Sequence, residues 1–175
     1  MNIEDAVEAY RVLVRQATLA QVEQASVWYF EAQEVAEDVS EILSLPLENG
    51  AAIVSAFSPR ERWASNVQKA YAFANGKPVT GLSNNLKMAN DAKINGFDAL
   101  KGQKTNAFAR AIAGDSNAVV IDVWMCRAAN AATDSPSKGL YNILSDAVRI
   151  VALEYGISPR TCQALIWIVV RGSAE

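Results

Sequence analysis

The chain has 175 residues, 51% of them hydrophobic and 20% charged, with a net charge of −3. That balance describes one folded domain around a single core and excludes a disordered or collagen-like chain. There is no histidine, and the only cysteines are Cys126 and Cys162. This excludes Ser-His-Asp and Cys-His catalysis, imidazole-dependent zinc sites, a disulfide framework and a four-cysteine metal centre. The thiols read as small buried hydrophobes in a reducing compartment. No cofactor and no metal ion is expected.

Acidic residues stand near the start, where a secretory signal carries lysines, and no apolar core follows them, so a cytoplasmic location is expected. The longest strongly apolar run is Ala164 to Val170, far short of the roughly 20 residues that cross a bilayer. No membrane span is predicted. Charge is distributed unevenly. Residues 1–50 hold ten acidic side chains against two basic ones, Arg11 and Arg15, whereas residues 51–175 hold fourteen basic against nine acidic. The basic excess lies between Arg60 and Arg110, where a polyanion would be drawn; an ordinary solvated surface explains the same imbalance.

Ile3, Ala6, Val7, Tyr10, Leu13, Val14 and Ala17 have the three-four spacing of one buried helical stripe, and the stripe resumes from Ala25 to Leu43. Two acidic amphipathic helices are predicted over residues 1–45, with a break near Thr18 to Ser26; one long helix is the alternative. Pro46 ends them. A third helix is predicted over Leu47–Phe57. Ser58-Pro59-Arg60-Glu61 has the form of a capping box with proline at the first helical position, so the next helix is placed from there to Ala74. Gly76 to Gly81 reads as a loop. Ser83 is expected to cap a helix reaching Ile94, and Asn95-Gly96 marks a turn.

Thr105 to Ala113 reads as a helix closed by Gly114-Asp115. Ala118 to Ile121 is either a short strand or a buried approach to the helix after Asp122, and the helical context favours the second. Thr133 to Gly139 is a loop, Leu140 to Tyr155 a helix ended by Gly156, and Ser158-Pro159 opens the last helix. The expected fold is all-α, an orthogonal bundle of about eight helices in a single domain over residues 1–175.

One constellation stands apart from solvated surface. It runs Leu100-Lys101-Gly102-Gln103-Lys104-Thr105, then Val119-Val120-Ile121-Asp122, then Trp124 and Arg127, with a late helix Gln163 to Gly172 that contains Trp167. Here the sequence resembles the helix-hairpin-helix DNA glycosylase superfamily, within it the endonuclease III-like branch, as a reduced relative of the kind a phage encodes. The resemblance covers about residues 97–172 and rests on the interval from Lys104 to Asp122. It departs from the pattern at the hairpin, where Gly102 stands alone and the loop is shorter, and in lacking the late cysteine cluster.

The resemblance implies a degenerate helix-hairpin-helix element near residues 97–113 within a glycosylase-like core over residues 47–175. It implies a DNA N-glycosylase acting on a base flipped from duplex DNA, with AP-lyase activity if an amine takes part. Asp122 would be the carboxylate that stabilises positive charge developing on the sugar, and Lys104 the Schiff-base nucleophile. Lys101, Gly102, Gln103, Thr105, Arg110 and Arg127 would contact nucleic acid, with Arg60 and Arg62 as phosphate contacts outside the hairpin. Trp63, Phe97 and Trp124 are the candidates for base pocket or wedge.

Plainer readings stand beside these. Asp122 has the form of a helix N-cap, Lys104 of a surface residue, Arg127 of a salt-bridge partner, and Trp28, Trp124 and Trp167 of core aromatics. Two other functions keep the fold: a phage enzyme that hypermodifies a base, and a non-catalytic DNA- or protein-binding module. In the module, the acidic helices of residues 1–43 dock a protein partner or a second copy.

Overall fold

Nine α-helices and one 3-10 turn make up the regular structure of residues 1–172, the residues described by the computed structural model, and no strand occurs among them. The helices are α1 (Ile3–Gln16), α2 (Leu19–Leu43), α3 (Leu47–Ala56), α4 (Trp63–Ala74), α5 (Ser83–Asn95), α6 (Gln103–Ile112), α7 (Val123–Ala128), α8 (Lys138–Tyr155) and α9 (Pro159–Arg171), with the 3-10 turn Gly96–Ala99 between α5 and α6. None of the described helices is long and apolar enough to cross a membrane. The chain divides into two compact units, one built from residues 1–29 and the segment from Ser116 onward, the other from residues 30–115.

In the first unit, the predicted stripe of α1 delivers Ala6, Val7, Tyr10 and Val14 to the core. The Tyr10 hydroxyl donates to the Met125 carbonyl at 3.0 Å, and burial pushes this phenol well above its ordinary range. Arg11 of α1 forks onto both carboxylate oxygens of Glu154 in α8, at 2.9 and 2.7 Å. The α1–α2 break is confined to Ala17 and Thr18, so α2 runs unbroken through the region where an interruption is predicted. The cause is a reciprocal cap: Thr18 N–H donates to Gln21 Oε1 at 2.9 Å and Gln21 N–H to Thr18 Oγ1 at 3.3 Å. Ser137 caps α8, whose end is Gly156 at φ +64°, and Ser158 caps α9 with Pro159 at its first position. Cys126 and Cys162 are buried and free; burial raises their thiols to about 11 and about 12, which keeps both protonated and unreactive.

Ala118 to Ile121 form neither helix nor strand, yet all are buried. A buried backbone needs partners, and Tyr141 of α8 supplies them with one oxygen. Its hydroxyl accepts from Ile121 N–H at 3.2 Å and donates to the Val119 carbonyl at 3.0 Å. Tyr141→Phe keeps the ring but leaves both backbone groups unpaired, so it is expected to destabilise the protein by about 2–3 kcal/mol. A urea unfolding series measures this as a lowered midpoint at constant slope.

In the second unit, α3 is the buried centre, with residues 50–56 all inaccessible to solvent. α5, the 3-10 turn and α6 each pack on it. Ser55 of α3 donates from Oγ to the Thr105 carbonyl at 2.7 Å, and Glu48 accepts from Phe97 N–H at 3.1 Å. α2 and α3 meet closely at Gly50: a Cβ there would overlap Ser40 Oγ and the Ala36 carbonyl oxygen of α2.

Two predicted starts are corrected here. Residues 58–62 form a turn rather than the first turn of α4, because Arg60 adopts φ +61°. Glu61 does not reach back to Ser58; it pairs with Lys69 and accepts from Ser65 Oγ at 2.8 Å. The Lys69 hydrogen bond, then the Ser65 one, holds the Glu61 carboxyl below its ordinary range. The cap of α5 is Leu82, with no side-chain bond, so Ser83 is the first helical residue and not the cap.

Candidate functional site

The decisive arrangement in the first unit begins at Asp122, the N-cap of α7. Its Oδ1 accepts from Trp124 N–H at 2.9 Å and from Met125 N–H at 3.0 Å, satisfying donors that the first turn cannot. Its Oδ2 accepts from the indole Nε1–H of Trp167, 45 positions later, at 2.9 Å. An ionised carboxylate offers about four acceptor positions, so one on Oδ2 is left open, and the residue is half-buried rather than sealed.

Arginine side chains lie over the rings of Trp124 and Trp167. The Arg171 guanidinium carbon lies 4.4 Å from the Trp167 ring centroid and 5.8 Å from that of Trp124. Arg127 stacks over Trp124 from 5.2 Å and forks onto Asp134 at 3.0 and 2.5 Å. That hydrogen-bonded pairing depresses the Asp134 carboxyl. Trp28 of α2 completes the group, its ring 6.2 Å from Trp167 and edge-on to buried Tyr29 at 4.7 Å. The plainer readings of Asp122 as a cap and Arg127 as a salt-bridge partner therefore describe real contacts. Trp124 and Trp167 are half-buried, not sealed in the core.

The remaining expected residues fall in the second unit. Lys104 is half-buried in the first turn of α6 and forms no ion pair among the described residues. Lys101, Gly102 and Gln103 are exposed ahead of it. Gly102 has φ −77°, so this glycine does not use the left-handed freedom by which a hairpin turns its N–H groups on a phosphate. The Thr105 hydroxyl donates to the Gly102 carbonyl at 3.1 Å. Asn106 closes the loop, donating to the Phe97 and Leu100 carbonyls at 3.1 and 3.2 Å.

Arg110 donates to Asn106 Oδ1 at 2.8 Å and lies over the Phe97 ring at 4.8 Å, so the expected wedge Phe97 is covered on one face. Arg60 and Arg62 are exposed before α4, and Trp63 packs edge-on to Phe108 at 6.4 Å. Asp122 and Lys104 thus belong to different units.

Residue-by-residue reading missed Trp167 and Arg171 as site residues. A signal was present: positions 167 and 171 are one helical turn apart, so the cation and the ring share a face. A separate open groove of about 640 Å³ beside the start of α1, lined by Asp5, Asn130, Thr133, Leu140 and Ile143, contains none of the expected residues. Among the described residues, no three His, Cys, Asp or Glu side chains converge to hold a metal ion.

Residues 3–174 match the model of a family of unknown function, DUF7178. The chain belongs to that family. No curated protein and no solved structure matches this DUF7178 chain. What the family does must therefore be argued from the site itself.

Proposed function

We propose that this DUF7178 protein is a cytoplasmic DNA-binding protein of glycosylase type that receives an extruded base and assists its release through Asp122. The observation that carries this reading is the setting of the carboxylate: a fixed group with one open acceptor position, tied to the indole N–H of Trp167, whose ring Arg171 covers. Breaking an N-glycosidic bond builds positive charge on the sugar, which an anion held by preformed dipoles stabilises without reorganising. Guanidinium groups take phosphates. In the AP-lyase extension, a separate step on the abasic sugar left by base release, the Lys104 amine of the second unit attacks the ring-opened C1′ aldehyde, and water leaves as the Schiff base forms.

A second reading is a non-catalytic binding module. It is favoured by the three hydrogen bonds on Asp122, all made by the protein's own groups. In that reading the exposed Glu31, Glu34, Glu37 and Glu41 of α2 face a protein partner.

The test uses the full chain with duplexes that each carry one altered base, and with an abasic duplex under borohydride. Base release from at least one duplex is expected, with a trapped covalent adduct that Lys104→Ala loses. DNA binding with no release from any duplex supports the module. Absence of salt-dependent binding removes nucleic acid from the account. Release without an adduct removes only the lyase step.

A further inference from the structure

We infer that Arg171 is a binding residue for a backbone phosphate of DNA, its guanidinium held over the indoles of Trp167 and Trp124. This rests on the nucleic-acid reading and names a contact within it. A guanidinium interacts with rings through its face and donates hydrogen bonds from its edge, in the plane, through five N–H groups. Its carbon lies over both rings, 4.4 and 5.8 Å from their centroids. The N–H groups remain. Among the described residues, no carboxylate pairs with Arg171 and no acceptor takes its side-chain N–H groups.

Three other arginines of the same unit are paired, while the exposed Arg15 makes no ion pair among the described residues. Arg11 is paired with Glu154 and Glu8, Arg127 with Asp134, and Arg149 with Asp146. Arg171 is half-buried and held over aromatic rings without a counter-ion among the described residues, an arrangement that suits an incoming phosphate. Its platform is held in place, because the Trp167 N–H is tied to Asp122 Oδ2 at 2.9 Å and the ring cannot turn without breaking that bond. A phosphate on the Arg171 edge would sit beside the same indole that is tied to the carboxylate, bringing the adjoining nucleotide to Asp122.

A cation in the last turn of α9 also complements the helix dipole, so the test separates charge at a helix end from phosphate contact. Full-length wild type, Arg171→Gln and Arg171→Lys are titrated against a duplex with one abasic site, between about 50 and 200 mM salt. Arg171→Gln is expected to reduce the slope of log K against log salt by about 0.9, the signature of one lost phosphate, and to weaken binding about tenfold. Arg171→Lys is expected to restore the slope but only part of the affinity, since an ammonium is a point charge that lacks the planar fork. Thermal melts verify that both variants are folded; should Arg171→Gln unfold, the loss of affinity at unchanged slope in Arg171→Lys carries the test. A slope unchanged in Arg171→Gln, or wild-type affinity in Arg171→Lys, overturns the assignment and leaves DNA binding standing. A wild type with no salt-dependent binding overturns both.

Discussion

Asp122→Asn is expected to lower base release by about two to three orders of magnitude while leaving DNA affinity within a few-fold. Asparagine caps a helix as well as aspartate does, so its oxygen can keep the bonds to Trp124 and Met125 N–H. The loss falls on the other side of the group. There an amide NH2 would face the Trp167 N–H, donor against donor, and the charge that stabilises the sugar would be gone. The clash is expected to destabilise the fold by about 1–2 kcal/mol, a fall of a few degrees in Tm for a chain of this size.

Trp167→Phe separates the two effects, because it removes the N–H and keeps an aromatic face. Added to Asp122→Asn, it should recover most of the lost stability and none of the lost base release, a coupling that a double-mutant cycle measures directly. If Asp122 were a cap alone, the single variant would release base at the wild-type rate per folded molecule, and the catalytic assignment would fall.

The second large effect is expected in the other unit. Gly50→Ala should destabilise the protein by about 3 kcal/mol, which corresponds to a Tm about 6–12 °C lower. On helix propensity alone the change would stabilise by about 1 kcal/mol, so the sign itself is diagnostic. The new methyl would meet Ser40 Oγ and the Ala36 carbonyl oxygen. The serine can rotate away, at the expense of its 2.7 Å bond to Ala36 O, but the carbonyl is backbone and moves only with α2. Accordingly Ser40→Ala should not rescue Gly50→Ala. A more stable Gly50→Ala would mean that the α2–α3 crossing is wider than the structure gives. Differential scanning calorimetry of the three variants measures all of this.

Much of the helical class was legible because its signals are local. Ser158-Pro159 and Gly156 bound their helices where expected, since a side-chain oxygen, a fixed φ and a left-handed residue each act within one turn. The same local logic failed at Ser58, where the S-x-x-E pattern was present but Arg60 adopts a left-handed backbone and Glu61 turns to Lys69 and Ser65. It also overlooked Thr18-x-x-Gln21, a capping box with glutamine in place of glutamate, which starts α2 without the broad break that was predicted.

The site was legible one residue at a time. Asp122 as a cap follows from its neighbours in sequence. Its bond to Trp167 joins positions 45 apart, which no periodicity reveals. The stacking of Arg171 on Trp124 likewise needs the packing of α7 against α9. Gly102 shows the converse limit. A glycine in a short loop invites a phosphate-gripping reading, yet its φ of −77° is one that any residue adopts.

The Tyr141 hydroxyl does for residues 119–121 what an adjacent strand does in a sheet, and those residues lead directly into Asp122. The height at which the carboxylate is presented is therefore gauged from α8. A substitution on α8 that shifts this one phenol would tilt the carboxylate out of register with its indole partner and dull the site from a distance. Deuterium uptake at the Ile121 amide, a proton in irregular backbone that should nevertheless exchange slowly, would register such a shift before any change in the bulk melt.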